Sequence, residues 1–208
     1  MRIKERFIFL KNNILSIESS GGVTGVSLIN EGEIIDTLEG LSKNKMLAEW
    51  VSDILIKNNT VVGELSGIAI DIGPGGFTSL RAGLSLAKGL ALSSSIPIVP
   101  VKLFDAVASE AYQYFSDIFY IAMHAYGKNF FMQPFKNGAS LSDPIMSSNL
   151  EDLDSKQVVG YKLDNQIDCK RNFVPSSITI GQYAFEYFSS LATHDFSDLE
   201  CLYLGSNF

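Results

Sequence analysis

Apolar positions recur along this chain with two periods, and the switches between them mark its elements. Ile14-Leu15-Ser16-Ile17 is a short apolar run closed by Glu18-Ser19-Ser20-Gly21-Gly22, and residues 23–29 form a second. Asn30-Glu31-Gly32 has the composition of a hairpin turn and leads into a third run over 33–38. Residues 41–57 change to helical spacing, with Leu47, Trp50, Val51, Ile54 and Leu55 on the inward face. Ile68-Ala69-Ile70 and Ile72 read as a buried strand, Gly73-Pro74-Gly75-Gly76 as a loop, and nothing breaks a helix from Phe77 until residues 93–97. A strand over 97–101 and a helix over 103–115, burying Phe104, Val107, Ala108 and Ala111, complete the first half.

The second half begins in the same way. Strands are expected over 118–123 and 130–135, with Lys136-Asn137-Gly138 in the place that Asn30-Glu31-Gly32 held before. After that come a short helix opening at 150–153, a strand over 157–160 and a helix over 178–191. Tyr183, Phe185, Tyr187 and Phe188 are expected to be largely buried on that last helix, and 201–204 to add a strand. The pattern implies a duplicated α/β architecture with a reduced second half. It divides the chain into an extension over 1–13, a first subdomain over 14–115 and a smaller second subdomain over 116–208.

The helix after the glycine loop departs from the usual amphipathic pattern. Its charges are Arg81 and Lys88, seven residues apart on one stripe, while Ser79, Gly83, Ala87 and Ala91 follow at i+4 spacing. Leu80, Leu84, Leu86 and Leu90 flank that row, leaving little face for water. Two glycines inside a helix cost roughly 1 kcal/mol each relative to alanine, and close packing would offset them. One face is therefore expected to meet the home sheet and the other a second protein, with Ser79, Gly83, Ala87 and Ala91 as the docking row.

Composition adds to this picture. Of 208 residues 46% are hydrophobic and 19% charged, and the mean hydropathy of +0.16 is high for a soluble monomer. A net charge of -7 argues against a chain that grips nucleic-acid phosphates alone. Basic residues cluster only at Arg2/Lys4/Arg6, Lys43/Lys45 and Lys170/Arg171, which read as solvated faces. Cys169 and Cys201 form neither a metal spacing nor a disulfide framework, and the apolar run 7–10 is too short for a signal-peptide core. A cytoplasmic protein is the expectation, without membrane contact.

Candidate chemistry is sparse. Gly73, Gly75 and Gly76 before a helix suggest a phosphate cradle, but the lysine and hydroxyl of a P-loop are absent. Glu18 and Asp71 each close a strand and form a second weak nucleotide candidate. His124 and His194 belong to no metal-spaced pair, and no Gly-x-Ser-x-Gly elbow is present, so neither catalytic nor metal residues are assigned.

The run from Ile70 to Ala91, Ile-Asp-Ile-Gly-Pro-Gly-Gly-Phe-Thr-Ser-Leu-Arg-Ala-Gly-Leu-Ser-Leu-Ala-Lys-Gly-Leu-Ala, resembles the signature of the TsaB (YeaZ) family. Ile14-Leu15-Ser16-Ile17-Glu18-Ser19-Ser20 is similar to that family's opening strand, Ile96-Pro97-Ile98-Val99-Pro100-Val101 to its following strand and Leu202-Tyr203-Leu204 to its closing motif. The resemblance implies an actin-like ATPase (ribonuclease-H-like) fold, a duplicated mixed sheet flanked by helices. It implies a non-catalytic dimerisation subunit supporting N6-threonylcarbamoylation of adenosine 37 in tRNA. A TsaD-type catalytic subunit would pair through the helix, with Pro74, Phe77, Thr78, Ser79, Arg81, Ala82, Gly83, Leu86, Ala87 and Leu90 at the interface. A TsaE-type ATPase would join them, tRNA contact would be indirect, and the isolated chain would form a homodimer. The chain would hold no cofactor alone, which leaves room for ATP in the assembled complex.

Several residues depart from the family pattern. Glu18 replaces an aspartate, Gly76 and Ser79 exchange a serine and a glycine, the histidine-serine pair near 43–46 is missing, and Met123-His124-Ala125 replaces Asp-Ala-Arg. The alternative from another class is a small ATPase or phosphotransferase using Glu18, Asp71 and the glycine loop. A peptidase finds no nucleophile or metal pair.

Overall fold

Alternation along the first apolar run sends its side chains to two faces of a sheet. In the computed structural model, which describes residues 12–41, 46–150, 153–163, 167 and 169–204, β1 (Asn13–Glu18) directs Leu15 and Ile17 toward one core and Ile14 toward another. β2 (Val23–Asn30) and β3 (Glu33–Leu41) continue antiparallel from it, joined by the expected turn with Glu31 at φ 52° and Gly32 at φ 83°. After α1 (Leu47–Lys57), β4 (Gly67–Asp71) lies parallel beside β1, and after α2 (Phe77–Ser94), β5 (Ile98–Val101) lies parallel beside β4. The sheet order is β3-β2-β1-β4-β5.

α3 (Leu103–Ala111) leads to the second sheet, formed by β6 (Phe119–His124), β7 (Phe130–Lys136), β8 (Ala139–Ser140), β9 (Ile145–Ser147), β10 (Val158–Tyr161) and β11 (Arg171–Asn172). Its order, β8-β7-β6-β10-β11, repeats the first: two antiparallel pairings and then two parallel ones. The duplication is therefore present, and the order is that of the actin-like, ribonuclease-H-like architecture. The second half is reduced because no described α-helix bridges β9 to β10 or β10 to β11.

The last helices return to the first sheet. α4 (Ser177–Glu186) packs on β1 and β2, across the expected subdomain boundary at 116, and α5 (Phe188–Leu191) follows. Ser16 Oγ donates to Ser177 O at 2.6 Å, and Glu39 Oε1 of β3 accepts from Ser176 Oγ and from Ser177 N at the start of α4. A carboxylate there satisfies an orphan helix donor and meets the positive end of the helix dipole. Layers thus stack in the order α1 and α2, first sheet, then α3 and α4 with the second sheet beyond.

Four expectations change. Leu41 ends β3 instead of opening α1; residues 42–45 lie outside the described residues, as do 1–11 of the expected extension and 151–152 of the expected short helix. The helix over 103–115 stops at Ala111, followed by a tighter turn at 112–114. The helix over 178–191 breaks at Tyr187 and buries Ser177, Ile180, Gly181 and Ala184, while Tyr183, Phe185 and Phe188 are half-buried and Tyr187 is exposed. The small residues face the sheet because β1 and β2 approach closely: a Cβ on Gly181 would lie 2.6 Å from Ile29 Cγ1. Residues 201–204 form no strand, although Leu202 N donates to Ile72 O at 2.7 Å.

Candidate docking helix and adjacent cleft

The loop into α2 is shaped by what it must avoid. Gly73 has φ +105°, a conformation that favours glycine, and a Cβ on Gly75 would collide with Ser20. Ser20 O accepts from Gly76 N at 2.9 Å, and Gly73 O from Leu103 N at 2.9 Å. The glycines thereby let the loop after β1 sit directly against the start of α2.

α2 turns its small-residue row inward. Leu80, Gly83, Leu84, Ala87 and Ala91 are buried, and a Cβ on Gly83 would lie 2.6 Å from Ser19 Oγ and 3.3 Å from Ile70 Cδ1. Ser19 Oγ also donates to Ser79 O at 3.0 Å. The expected docking row of Ser79, Gly83, Ala87 and Ala91 is therefore the face toward β1 and β4, and the closeness of that packing accounts for its small side chains. Among the other expected interface residues, Pro74 is buried, Leu86 and Leu90 are half-buried against the same core, and Phe77, Thr78, Arg81 and Ala82 are exposed. Lys88, expected on the outer stripe with Arg81, is half-buried and donates to Ser197 O at 3.1 Å.

The open face is a different line. Thr78, Ala82, Ser85, Gly89 and Leu92 are exposed and spaced alternately by four and three residues, with Leu92 74% exposed. A Cβ on Gly89 would meet nothing within 4 Å. At the helix start the Phe77 ring carries the Arg81 guanidinium 4.1 Å from its centroid and meets Tyr203 edge-on at 5.1 Å. Ser85, Gly89 and Leu92 escaped the sequence reading because the neighbouring register of small residues keeps an unbroken i+4 spacing, whereas this one alternates four and three.

Beside this end of α2 lies a cleft of about 340 Å³, lined by Ser20, Gly75, Phe77, His124, Lys162 and Tyr203 among others. Lys162 Nζ donates to Gly21 O at 3.2 Å, and His124 Nε2 pairs with Gly127 O at 3.1 Å. Gly75 and Gly76 border the cleft, but Glu18 and Asp71 do not. Both carboxyls are fully buried behind Ser20, adjacent because Ile17 and Ile70 are in register. Glu18 Oε1 accepts from Ser20 N and Ser20 Oγ, each at 2.6 Å, and Asp71 Oδ1 accepts from Gly73 N at 2.6 Å. Burial, then the neighbouring Asp71 charge, pushes the Glu18 carboxyl well above the usual carboxylate range, and burial raises Asp71. The pair is thus closed off from the cleft, and these two weak nucleotide candidates do not reach it. Among the described residues no three His, Cys, Asp or Glu side chains cluster to hold a metal ion, and no helix is long and apolar enough to cross a membrane.

Comparison with known proteins agrees with this architecture. The family model of tRNA N6-adenosine threonylcarbamoyltransferase, TsaD, matches residues 42–193. The tRNA threonylcarbamoyladenosine biosynthesis protein TsaB of Buchnera aphidicola subsp. Acyrthosiphon pisum is 30% identical over 162 residues, 75% of this chain and 71% of that protein. The TsaB proteins of Haemophilus influenzae and Escherichia coli are 28% and 29% identical over 102 residues each, so the match spans less than half of their length. Among solved structures, YeaZ from Pseudomonas aeruginosa superposes with a TM-score of 0.70 at 17% identity, covering 93% of this chain and all of that one. A second, described as a protein with similarity to peptidase YeaZ from Pseudomonas aeruginosa, gives 0.73 at 16% identity, with the same coverage. The chain belongs to the TsaB (YeaZ) family of tRNA threonylcarbamoyladenosine biosynthesis proteins.

Proposed function

We propose that this chain is the non-catalytic dimerisation subunit of the cytoplasmic machinery that forms N6-threonylcarbamoyladenosine at position 37 of tRNA, and that it stabilises a TsaD-type catalytic subunit by docking the open face of α2. The observation that carries this reading is Gly89. A glycine on the exposed face of a helix costs about 1 kcal/mol relative to alanine, and among the described residues no contact explains it. A helix from another chain, crossing at Ala82, Ser85 and Gly89 and flanked by Phe77 and Leu92, would use the space that a Cβ at 89 would fill. Net charge -7 leaves phosphate contact to partners, so tRNA is met indirectly. A TsaE-type ATPase completes the assembly, and the same face pairs two copies when the catalytic subunit is missing.

The test is to mix the chain with the TsaD-type subunit of its own organism and measure the mass of the complex. A one-to-one complex that is lost in Gly89→Leu, with the circular dichroism spectrum unchanged, is the expected result. Folded proteins that form no complex would end the proposal.

A further inference from the structure

The docking face leaves the buried carboxyl pair unexplained. Among the described residues Glu18 Oε2 and Asp71 Oδ2 are buried without a hydrogen-bond partner, on side chains that the pairing of Ile17 with Ile70 sets next to each other. Ionised carboxylates only accept, so two orphaned carboxyl oxygens side by side can satisfy each other only when one of them carries a proton. Among the described residues the groups acting on the pair are Ser20 and Gly73, besides the two carboxyls themselves, and none is a cation. Two unneutralised charges side by side away from water would be strongly unfavourable.

We propose that Glu18 and Asp71 share one proton, and that this proton is a latch joining the loop after β1 to the loop after β4; given the docking role proposed above, the start of α2 is then held in its docking position only while the proton is bound. The connections are short. Glu18 Oε1 holds Ser20, whose carbonyl holds Gly76 at the start of α2, while Asp71 Oδ1 holds Gly73 at the other end of the same loop. Losing the proton puts two carboxylates in contact and drives residues 18–20 and 71–73 apart.

The direction with pH follows from burial, the largest influence on both groups, which raises them. A group whose folded value lies above its unfolded value stabilises the fold at low pH, and that stability is lost as pH rises through the folded value. The tail presents the Cys201 thiol, itself pushed up by burial and by Asp71; Arg81 and Lys88 of α2, and Glu200, act on that thiol. Lys102, after β5, acts on Asp105, and the residue paired with Glu18 on β2 is Gly25.

Infrared spectroscopy of the full chain tests the latch. A protonated-carboxyl C=O band is expected in the folded protein at neutral pH, disappearing at alkaline pH as Tm falls. Glu18→Gln keeps a donor toward Asp71 and the pair's single negative charge, so it should lose that band and flatten the alkaline fall in Tm. The difference between wild type and Glu18→Gln separates the pair from Asp105, which burial also raises. Cys201→Ser should retain the fall, since the thiol is not its source. Association with the TsaD-type subunit should weaken over the same pH interval in the wild type alone. A folded wild type without the band, or a Glu18→Gln variant with an undiminished fall in Tm, overturns the shared proton. If the band and Tm behave as expected while no partner binds at any pH, the docking role fails and the proton pair stands.

Discussion

Gly83 and Gly89 lie on the same helix six residues apart, about 240° around its axis, and their surroundings are opposite. Gly83 presses on Ser19 and Ile70, so a side chain there has no room; Gly89 faces open space. In both cases a glycine weakens the isolated helix, yet only at Gly83 does the chain itself supply the compensation, by bringing β1 and β4 close. Small residues at helical spacing therefore report close packing without saying to what. The inner row answers to the home sheet, and the outer row is free to answer to another molecule.

Gly83→Leu is the harshest way to test this contrast. The new side chain must displace Ser19, break its bond to Ser79 O and shift Ile70, so a loss of about 3 kcal/mol or more is expected, read as a lower urea midpoint. An unchanged midpoint would move Gly83 out of the core and erase the distinction between the faces. Gly89→Leu is the mirror experiment: no loss of midpoint, but at least a tenfold weaker association with the catalytic subunit, or about 1.4 kcal/mol. Should both variants unfold, the outer face is not a docking surface.

Phe77→Ala sharpens where the docking face begins. The ring joins Arg81 on α2 to Tyr203 of the tail, and such exposed stacking contributes on the order of 1 kcal/mol. The variant should lose about that much stability and release the tail, seen as faster proteolysis near residue 203. Unchanged cleavage would separate the tail from the helix start.

Much of this was legible in the sequence, and the gaps have physical reasons. Short apolar runs located β1, β2, β4 and β5, and the turns at Glu31-Gly32 and Asn137-Gly138 showed that the second half repeats the first. The sequence put Glu18 and Asp71 at strand ends, but only the structure shows that the two strands pair and that Ser20 closes the carboxyls off. The inward face of α2 was misassigned because apolar spacing is blind to which side a sheet occupies: Gly83, Ala87 and Ala91 look as suited to a partner as to β4. The aromatic residues of the last helix misled for a similar reason. Tyr183, Phe185 and Phe188 suggested burial by hydrophobicity, whereas Gly181 and Ala184 are what the close approach of β1 and β2 admits.

The mildest variant asks whether Gly89 is a concession to another chain. Gly89→Ala adds a methyl group that meets nothing within 4 Å and removes the backbone entropy loss of a glycine in a helix. The folded monomer should gain roughly 0.5–1 kcal/mol, measured as a higher urea midpoint or Tm. If a partner backbone crosses at this position, the same methyl group should weaken the complex, so that stability and association move in opposite directions. A variant that gains stability and binds as well as the wild type would show that the partner keeps its distance from residue 89, and would shift the docking contact toward Phe77, Arg81 and Ala82.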